Sequence, residues 1–91
     1  MMKLSIYSIY DSVAEVFNKP FTSINNATAE REFVQSVKEQ PHKNDYILYY
    51  LGDFNDANGQ IVQKDPVRLL GGIDIKMEAE TVPEGLKVQA V

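Results

Sequence analysis

The residues that could carry out chemistry are few and scattered. His42 is the only histidine, and the chain has no cysteine. A zinc site needs three or four ligands, and a catalytic histidine needs a nucleophile and an orienting partner. We therefore expect His42 to be a solvated loop residue, and the absence of thiols excludes disulfides, thiolate metal sites and cysteine nucleophiles. These residue types predict no enzyme, no cofactor and no metal.

An oxygen-rich segment superficially resembles a calcium loop. It contains Asp53, Asn55, Asp56 and Asn58, followed by Gly59. It lacks the bidentate glutamate that such a loop places six residues beyond its central glycine. Asp and Asn stabilise turns through their own side chains, so the segment predicts a hairpin turn. Gly71-Gly72 lacks the spacing of a phosphate-binding loop and predicts a strand break or bulge.

The five tyrosines leave three interpretations open. Aromatic side chains on an open sheet stack unpaired bases. They also anchor subunit interfaces, or they pack in a core with their hydroxyls hydrogen-bonded. Arg31, on a predicted helix, is expected to form a structural salt bridge in preference to a phosphate contact.

Length and charge narrow the class of protein. Ninety-one residues and 10.3 kDa allow one domain with one thin core layer. Nine basic and 13 acidic residues give a net charge of −4, without a basic block, so strong electrostatic capture of nucleic acid is not expected. No apolar run approaches a membrane span, and the N-terminus alternates unlike a signal peptide. A cytoplasmic location is the expectation.

The elements that must position these residues follow from periodicity. Strands are predicted at 3–10, 13–17, 45–52 and 60–63, followed by one or two short strands among 67–70 and 73–77, with a helix at 27–39. Asn25-Asn26 supplies a helix N-cap, and Pro41 stops the helix. Asp65-Pro66 is predicted to break the sheet, because proline cannot continue a ladder.

These elements predict an α+β fold. A small antiparallel sheet of four to five strands carries one α-helix on one face, in the order β-β-α-β-β(-β). This domain spans residues 1–77, and residues 78–91 form a mobile or partner-docked tail. The helix covers one face through Ala29, Phe33 and Val37. The other face is expected to expose several apolar residues and to form the interface of a homodimer or other homo-oligomer. The candidates for this interface are Tyr7, Ile9, Ile47, Tyr49 and Leu51.

The order of the short motifs resembles one known family. The opening Leu4-Ser5-Ile6-Tyr7-Ser8-Ile9-Tyr10-Asp11 is followed by Pro20-Phe21, by Ala29, Arg31 and Phe33, by the strand 45–52 and by the turn from Asp53 to Gly59. Over about residues 3–75 this succession resembles the small nonstructural protein of gokushoviruses, single-stranded-DNA bacteriophages of the microvirus group. No catalytic residues come with the resemblance.

The resemblance implies a phage-encoded nonstructural protein that binds DNA or is associated with genome replication. The expected partners are therefore single-stranded DNA or the replication and packaging proteins of the phage, with no membrane. The candidate nucleic-acid contacts are Lys3, Tyr7, Lys19, Arg31 and Lys43. The alternative is a protein-interaction or homo-oligomerisation module without a nucleic-acid role, which the acidic charge balance favours.

Overall fold

A computed structural model describes residues 3–75 of the chain and places them in one antiparallel sheet of five strands with one α-helix. The elements are β1 (Lys3–Asp11), β2 (Val16–Phe17), β3 (Phe21–Ser23), α1 (Asn26–Val37), β4 (Tyr46–Asn55) and β5 (Ile61–Gly71). Short 3₁₀ turns at Lys43–Asp45 and Gly72–Asp74 flank the β4–β5 hairpin. The α+β prediction is confirmed. The predicted tail, 78–91, lies outside the described residues.

The sheet is built around β1 and β4. Its order is β2-β1-β4-β5, and β3 pairs with β1 on the same edge as β2. Every strand pairing is antiparallel, as predicted for this sheet. β3 was not predicted, since its three residues after Pro20 are too few to show alternation.

Local signals place the helix where it was predicted, to within two residues. The Asn25 side chain accepts a hydrogen bond from the Thr28 backbone N–H at 2.8 Å, which satisfies an orphan donor of the first turn. The buried side of α1 consists of Ala29, Phe33 and Val37, one residue per turn. This stripe packs on the sheet and closes the core.

The strand β5 runs through the predicted break at Asp65-Pro66, so that prediction was wrong. The β4–β5 ladder shifts register between Tyr50 and Gly52, and residues 64–66 have no partner in that ladder. β5 is also an edge strand. Proline is tolerated at an irregularity of an edge strand, because no ladder hydrogen bond is lost there. The predicted break at Gly71-Gly72 is confirmed, since β5 ends at Gly71. The prediction of a strand at 73–77 was wrong for its described part, because Ile73 and Asp74 lie in the 3₁₀ turn at Gly72–Asp74 and Ile75 follows it outside any strand.

The register between β1 and β4 decides which residues share a face. Tyr7 lies opposite Tyr50, and Ile9 lies opposite Leu48. Odd-numbered residues of β1 therefore share a face with even-numbered residues of β4 along this stretch. A bulge at Leu51, skipped between the pairs Tyr7–Tyr50 and Ile6–Gly52, shifts the register nearer the hairpin turn.

The helix-covered face holds the core. Its buried residues are Tyr7, Ala29, Phe33, Val37 and Leu48, with Ile9, Phe21 and Tyr50 among those packed against them. The opposite face of the sheet, here called the open face, carries Tyr10, Ile47 and Tyr49 from the alternate positions of β1 and β4. No helix among residues 3–75 covers it.

Candidate nucleic-acid interface

Three aromatic rings meet on the open face. The ring centroids of Tyr10 and Phe17 are 4.8 Å apart, those of Phe17 and Tyr49 are 5.4 Å apart, and those of Tyr10 and Tyr49 are 6.0 Å apart. The contacts are tilted or edge-to-face, which are favourable geometries for aromatic pairs. We call these three residues the aromatic triad. Phe17 remains 45% exposed and the two tyrosines are half-buried, so the rings retain surface for a ligand.

Three strands bring the triad together. Tyr10 pairs with Phe17 across the β1–β2 ladder and with Ile47 across the β1–β4 ladder. The tight turn from β1 into β2 is held by the Asp11 carboxylate, which accepts from the N–H groups of Val13 and Ala14 at 3.0 Å. This Asx-type turn is what returns Phe17 beside Tyr10.

A cation lies beside the triad. Arg68 of β5 is the direct cross-strand partner of Tyr49, and it therefore lies on the open face. One of its terminal nitrogens, Nη2, is 3.0 Å from Oδ2 of Asp74. The same oxygen accepts from the Gly71 backbone N–H at 2.9 Å. These contacts, the Gly71 N–H first and the Arg68 guanidinium second, lower the pKa of Asp74 below its ordinary value.

Tyr7, predicted as a nucleic-acid contact and as an interface residue, belongs to the core, so both predictions were wrong. It is fully buried, and its hydroxyl donates to Asn26 Oδ1 at 2.7 Å. Its ring lies near those of Phe21 and Tyr50, with centroids 5.8 and 6.0 Å away. Burial raises the pKa of the Tyr7 hydroxyl, because the charged phenolate is poorly solvated there.

The four predicted basic contacts do not form one surface. Lys3 is 3.6 Å from Asp53, on the helix-covered side. Lys43 donates to the backbone oxygens of Gly72 at 3.2 Å and Ile75 at 3.5 Å, so it ties the two 3₁₀ turns together. Arg31 is exposed on α1 and takes part in neither of the two ion pairs found within residues 3–75. Its predicted structural salt bridge is absent from that range.

Lys19 is the predicted basic contact closest in sequence to a triad residue. It is exposed and follows Phe17 by two residues, in the connection from β2 to β3. The Ser8 hydroxyl fixes this connection by donating to the Asn18 carbonyl at 2.6 Å.

The predicted interface residues divide between the two faces. Ile47 and Tyr49 lie on the open face, whereas Ile9 packs with Tyr7 on the helix-covered side. Leu51 is the half-buried bulge residue, unpaired in both of its ladders. The prediction grouped odd-numbered residues from both strands, but the register pairs odd with even. Ile9 was therefore assigned wrongly, for the same reason as Tyr7.

Three residues of the open face, Tyr10, Phe17 and Arg68, were not predicted as site residues. Tyr10 alternates with Ile9, so the choice of Tyr7 and Ile9 as interface candidates left Tyr10 out. Phe17 belongs to a two-residue strand, and its facing direction depends on the turn at Asp11. The signal for Arg68 was an arginine in an otherwise apolar segment, Val67-Arg68-Leu69-Leu70. Its register across from Tyr49 depends on a second shift of the β4–β5 ladder, between Leu48 and Tyr49, where Leu69 is left without a partner.

The described range contains neither a metal-binding cluster nor a helix that could span a membrane. Residues 3–75 hold no group of three or more His, Asp or Glu side chains able to bind a metal ion. In the same range, α1 is too short and polar to span a bilayer.

The fold and the triad define a small α+β protein with an aromatic sheet face. The family model described as Phage ORF5 protein matches residues 4–75, which is most of the chain and nearly all of its described part. The chain therefore belongs to the Phage ORF5 protein family, and it is a bacteriophage protein. No curated protein and no solved structure matches it significantly.

Proposed function

We propose that this phage protein is a non-enzymatic accessory protein that binds single-stranded DNA through the aromatic triad. It would be a nonstructural protein of the kind encoded by gokushovirus-type microviruses, acting as an oligomer in genome replication or packaging in the host cytoplasm. One observation carries the proposal: Tyr10, Phe17 and Tyr49 converge on a sheet face that no described helix covers.

The physical argument rests on stacking. Each unpaired base stacked on an aromatic side chain contributes about 1–3 kcal/mol. A net charge of −4 opposes the approach of a polyanion, so stacking must supply most of the affinity. The proposal therefore requires weak binding that depends on the rings and little on salt.

Fluorescence anisotropy with labelled oligodeoxythymidylate at low salt tests the proposal. We expect Tyr49→Ala to weaken binding by roughly 5- to 150-fold, the loss of one stacked base. Ile24→Ala is the matched control, since Ile24 is a 57% exposed apolar residue outside the open-face ladders. Absence of wild-type binding at tens of micromolar, or equal effects of the two substitutions, would refute the proposal.

A second function, homo-oligomerisation through the open face without DNA, is favoured by one further observation. Beyond the triad, Ile6, Phe54 and Ile61 line an almost wholly apolar groove of about 200 Å³, and Ile61 is 67% exposed. A second copy would bury this surface. Sedimentation over a concentration series tests this second function. A dimer that Ile61→Asp disrupts would support homo-oligomerisation through the open face, and a monomer at the highest concentration would contradict it.

A further inference from the structure

The two arginines of the chain lie on opposite sides of the sheet. Arg31 is on α1, which packs on the helix-covered face, and Arg68 is directly across from Tyr49 on the open face. Directly opposed residues in an antiparallel pair have Cβ atoms about 4.5–5.5 Å apart. The Arg68 backbone thus lies opposite Tyr49, and its side chain, 48% exposed, remains accessible.

The Arg68 guanidinium is oriented but not saturated. Its hydrogen bond to the Asp74 carboxylate uses the Nη2 nitrogen. A guanidinium has five N–H donors in a planar fork, so donors on Nη1 and Nε remain for a second anion. Carboxylate and phosphate oxygens are bound by this fork in the same way. Asp74 therefore positions Arg68 and also competes with any anion that approaches it.

We propose that Arg68 binds a backbone phosphate of the strand whose bases stack on the aromatic triad, with Asp74 as the built-in competitor. This inference rests on the proposed function and deepens it by naming the phosphate contact. Lys3 faces Asp53 on the covered side, and Lys43 is bound to backbone oxygens. Lys19 lies in the β2–β3 connection and Lys64 in the unpaired part of β5, so neither is the cross-strand partner of a triad residue, as Arg68 is. Stacking thus holds the bases, and Arg68 fixes the strand beside them.

The first test compares two substitutions that each remove one positive charge. Arg68→Gln acts on the open face, and Lys38→Gln acts at the C-cap of α1. Loss of one phosphate contact on a single strand lowers the slope of log affinity against log salt by about 0.7. We expect this reduction and a roughly 10- to 100-fold weaker Kd for Arg68→Gln, with the wild-type slope for Lys38→Gln. Equal slopes in the two variants overturn the inference.

A second test uses the wild-type protein, so its result does not depend on whether a variant folds. The side-chain Nε–H signals of Arg31 and Arg68 are followed in one ¹H–¹⁵N spectrum during titration with oligodeoxythymidylate. We expect the Arg68 signal to shift with the anisotropy Kd and the Arg31 signal to stay in place. A stationary Arg68 signal in a protein that binds DNA overturns the inference alone. Wild-type protein that does not bind overturns the proposed function as well.

A matched pair of substitutions tests whether Asp74 competes with DNA for Arg68. Asp74→Asn retains an oxygen that can accept from the Gly71 N–H but removes the negative charge beside Arg68. Glu39→Gln makes the same charge change at an exposed position after α1. We expect tighter DNA binding for Asp74→Asn than for Glu39→Gln. Equal affinities of the two variants contradict the competitor role.

Discussion

Two aromatic clusters of similar composition lie on opposite faces of one sheet. Tyr7, Phe21 and Tyr50 are packed in or against the core on the side of α1, and Tyr10, Phe17 and Tyr49 form the triad on the open face. In the first cluster the Tyr7 ring centroid lies 5.8 Å from that of Phe21 and 6.0 Å from that of Tyr50, and in the triad all three centroid distances are 6.0 Å or less. The difference between them is that α1 covers the first cluster, whereas no described helix covers the second. Identical residue types therefore stabilise the fold on one face and are available to a ligand on the other.

The hydroxyl groups sharpen this contrast. Tyr7 donates to Asn26 at the start of α1, and Tyr50 donates to Asp53 at 2.8 Å. The hydrogen bond to Asp53 is the main reason why the pKa of Tyr50 is raised. The hydroxyl of Tyr7 thus links the sheet to the helix, and that of Tyr50 is held beside the Lys3–Asp53 ion pair.

The largest expected difference is in the cost of truncating one ring from each cluster. Tyr7→Ala should destabilise the fold by about 3–5 kcal/mol, because it leaves a cavity in a thin core. Tyr49→Ala should cost about 1–2 kcal/mol, since it removes edge-to-face contacts from a half-exposed ring. Urea unfolding followed by circular dichroism measures both. Equal destabilisation would mean that the triad is part of the core.

A smaller difference in unfolding free energy between the two clusters is expected when only a tyrosine hydroxyl is removed. Tyr7→Phe should cost about 1 kcal/mol, because it removes the hydrogen bond to Asn26. Tyr10→Phe should be close to neutral in the same urea experiment. The pKa of Tyr7 is raised in the folded state, so its stabilisation is present below pH 10 and is lost as the pH rises through that raised pKa. Tyr7→Phe should consequently lose less stability than the wild type above pH 10, and identical alkaline unfolding curves would contradict this.

Unfolding at acid pH tests whether Asp74, which accepts hydrogen bonds from Gly71 and Arg68, stabilises the end of β5. The pKa of Asp74 is lowered, so its stabilisation is present above its unfolded value near pH 4 and is lost as the pH falls through the lowered pKa. The wild type should therefore lose slightly more stability than Asp74→Asn between about pH 4 and pH 2. Thermal unfolding at several pH values measures this difference. Parallel profiles would show that Asp74 does not stabilise the end of β5.

The smallest effect is expected for the C-terminal segment. Lys43 binds the backbone at Gly72 and Ile75, so the last described residues are tied to the turn before β4. A chain that ends at Met77 should melt within a few degrees of the full chain, and any dimer that it forms should be weaker than that of the full chain. A chain that ends at Leu70 is the control, because it loses the residues that Lys43 binds, and it should melt much lower. Failure of the first chain to fold would place residues 78–91 in the core.

Local signals were enough to predict most of the elements. Asn25 caps α1 as predicted, and Ala29, Phe33 and Val37 form its buried stripe. The aromatic strand around Leu48 and the turn ending at Gly59, with φ +77°, also follow from residue type. These features depend on neighbours in sequence, which is why the α+β class could be predicted. The resemblance to a phage family covered about the same range as the family match.

The choice of face was decided by tertiary structure alone. Alternation along β1 shows that Tyr7 and Tyr10 face opposite ways, but both sides of this strand are apolar, so hydrophobicity does not select the side that α1 covers. That choice depends on the pairing of Tyr7 with Tyr50 and on the bulge at Leu51, which are contacts between residues distant in sequence. A shift of one residue in this pairing would have moved a whole side-chain set to the other face. The sequence by itself determined the elements and their aromatic content, and the long-range register determined which tyrosines became core and which became the candidate site.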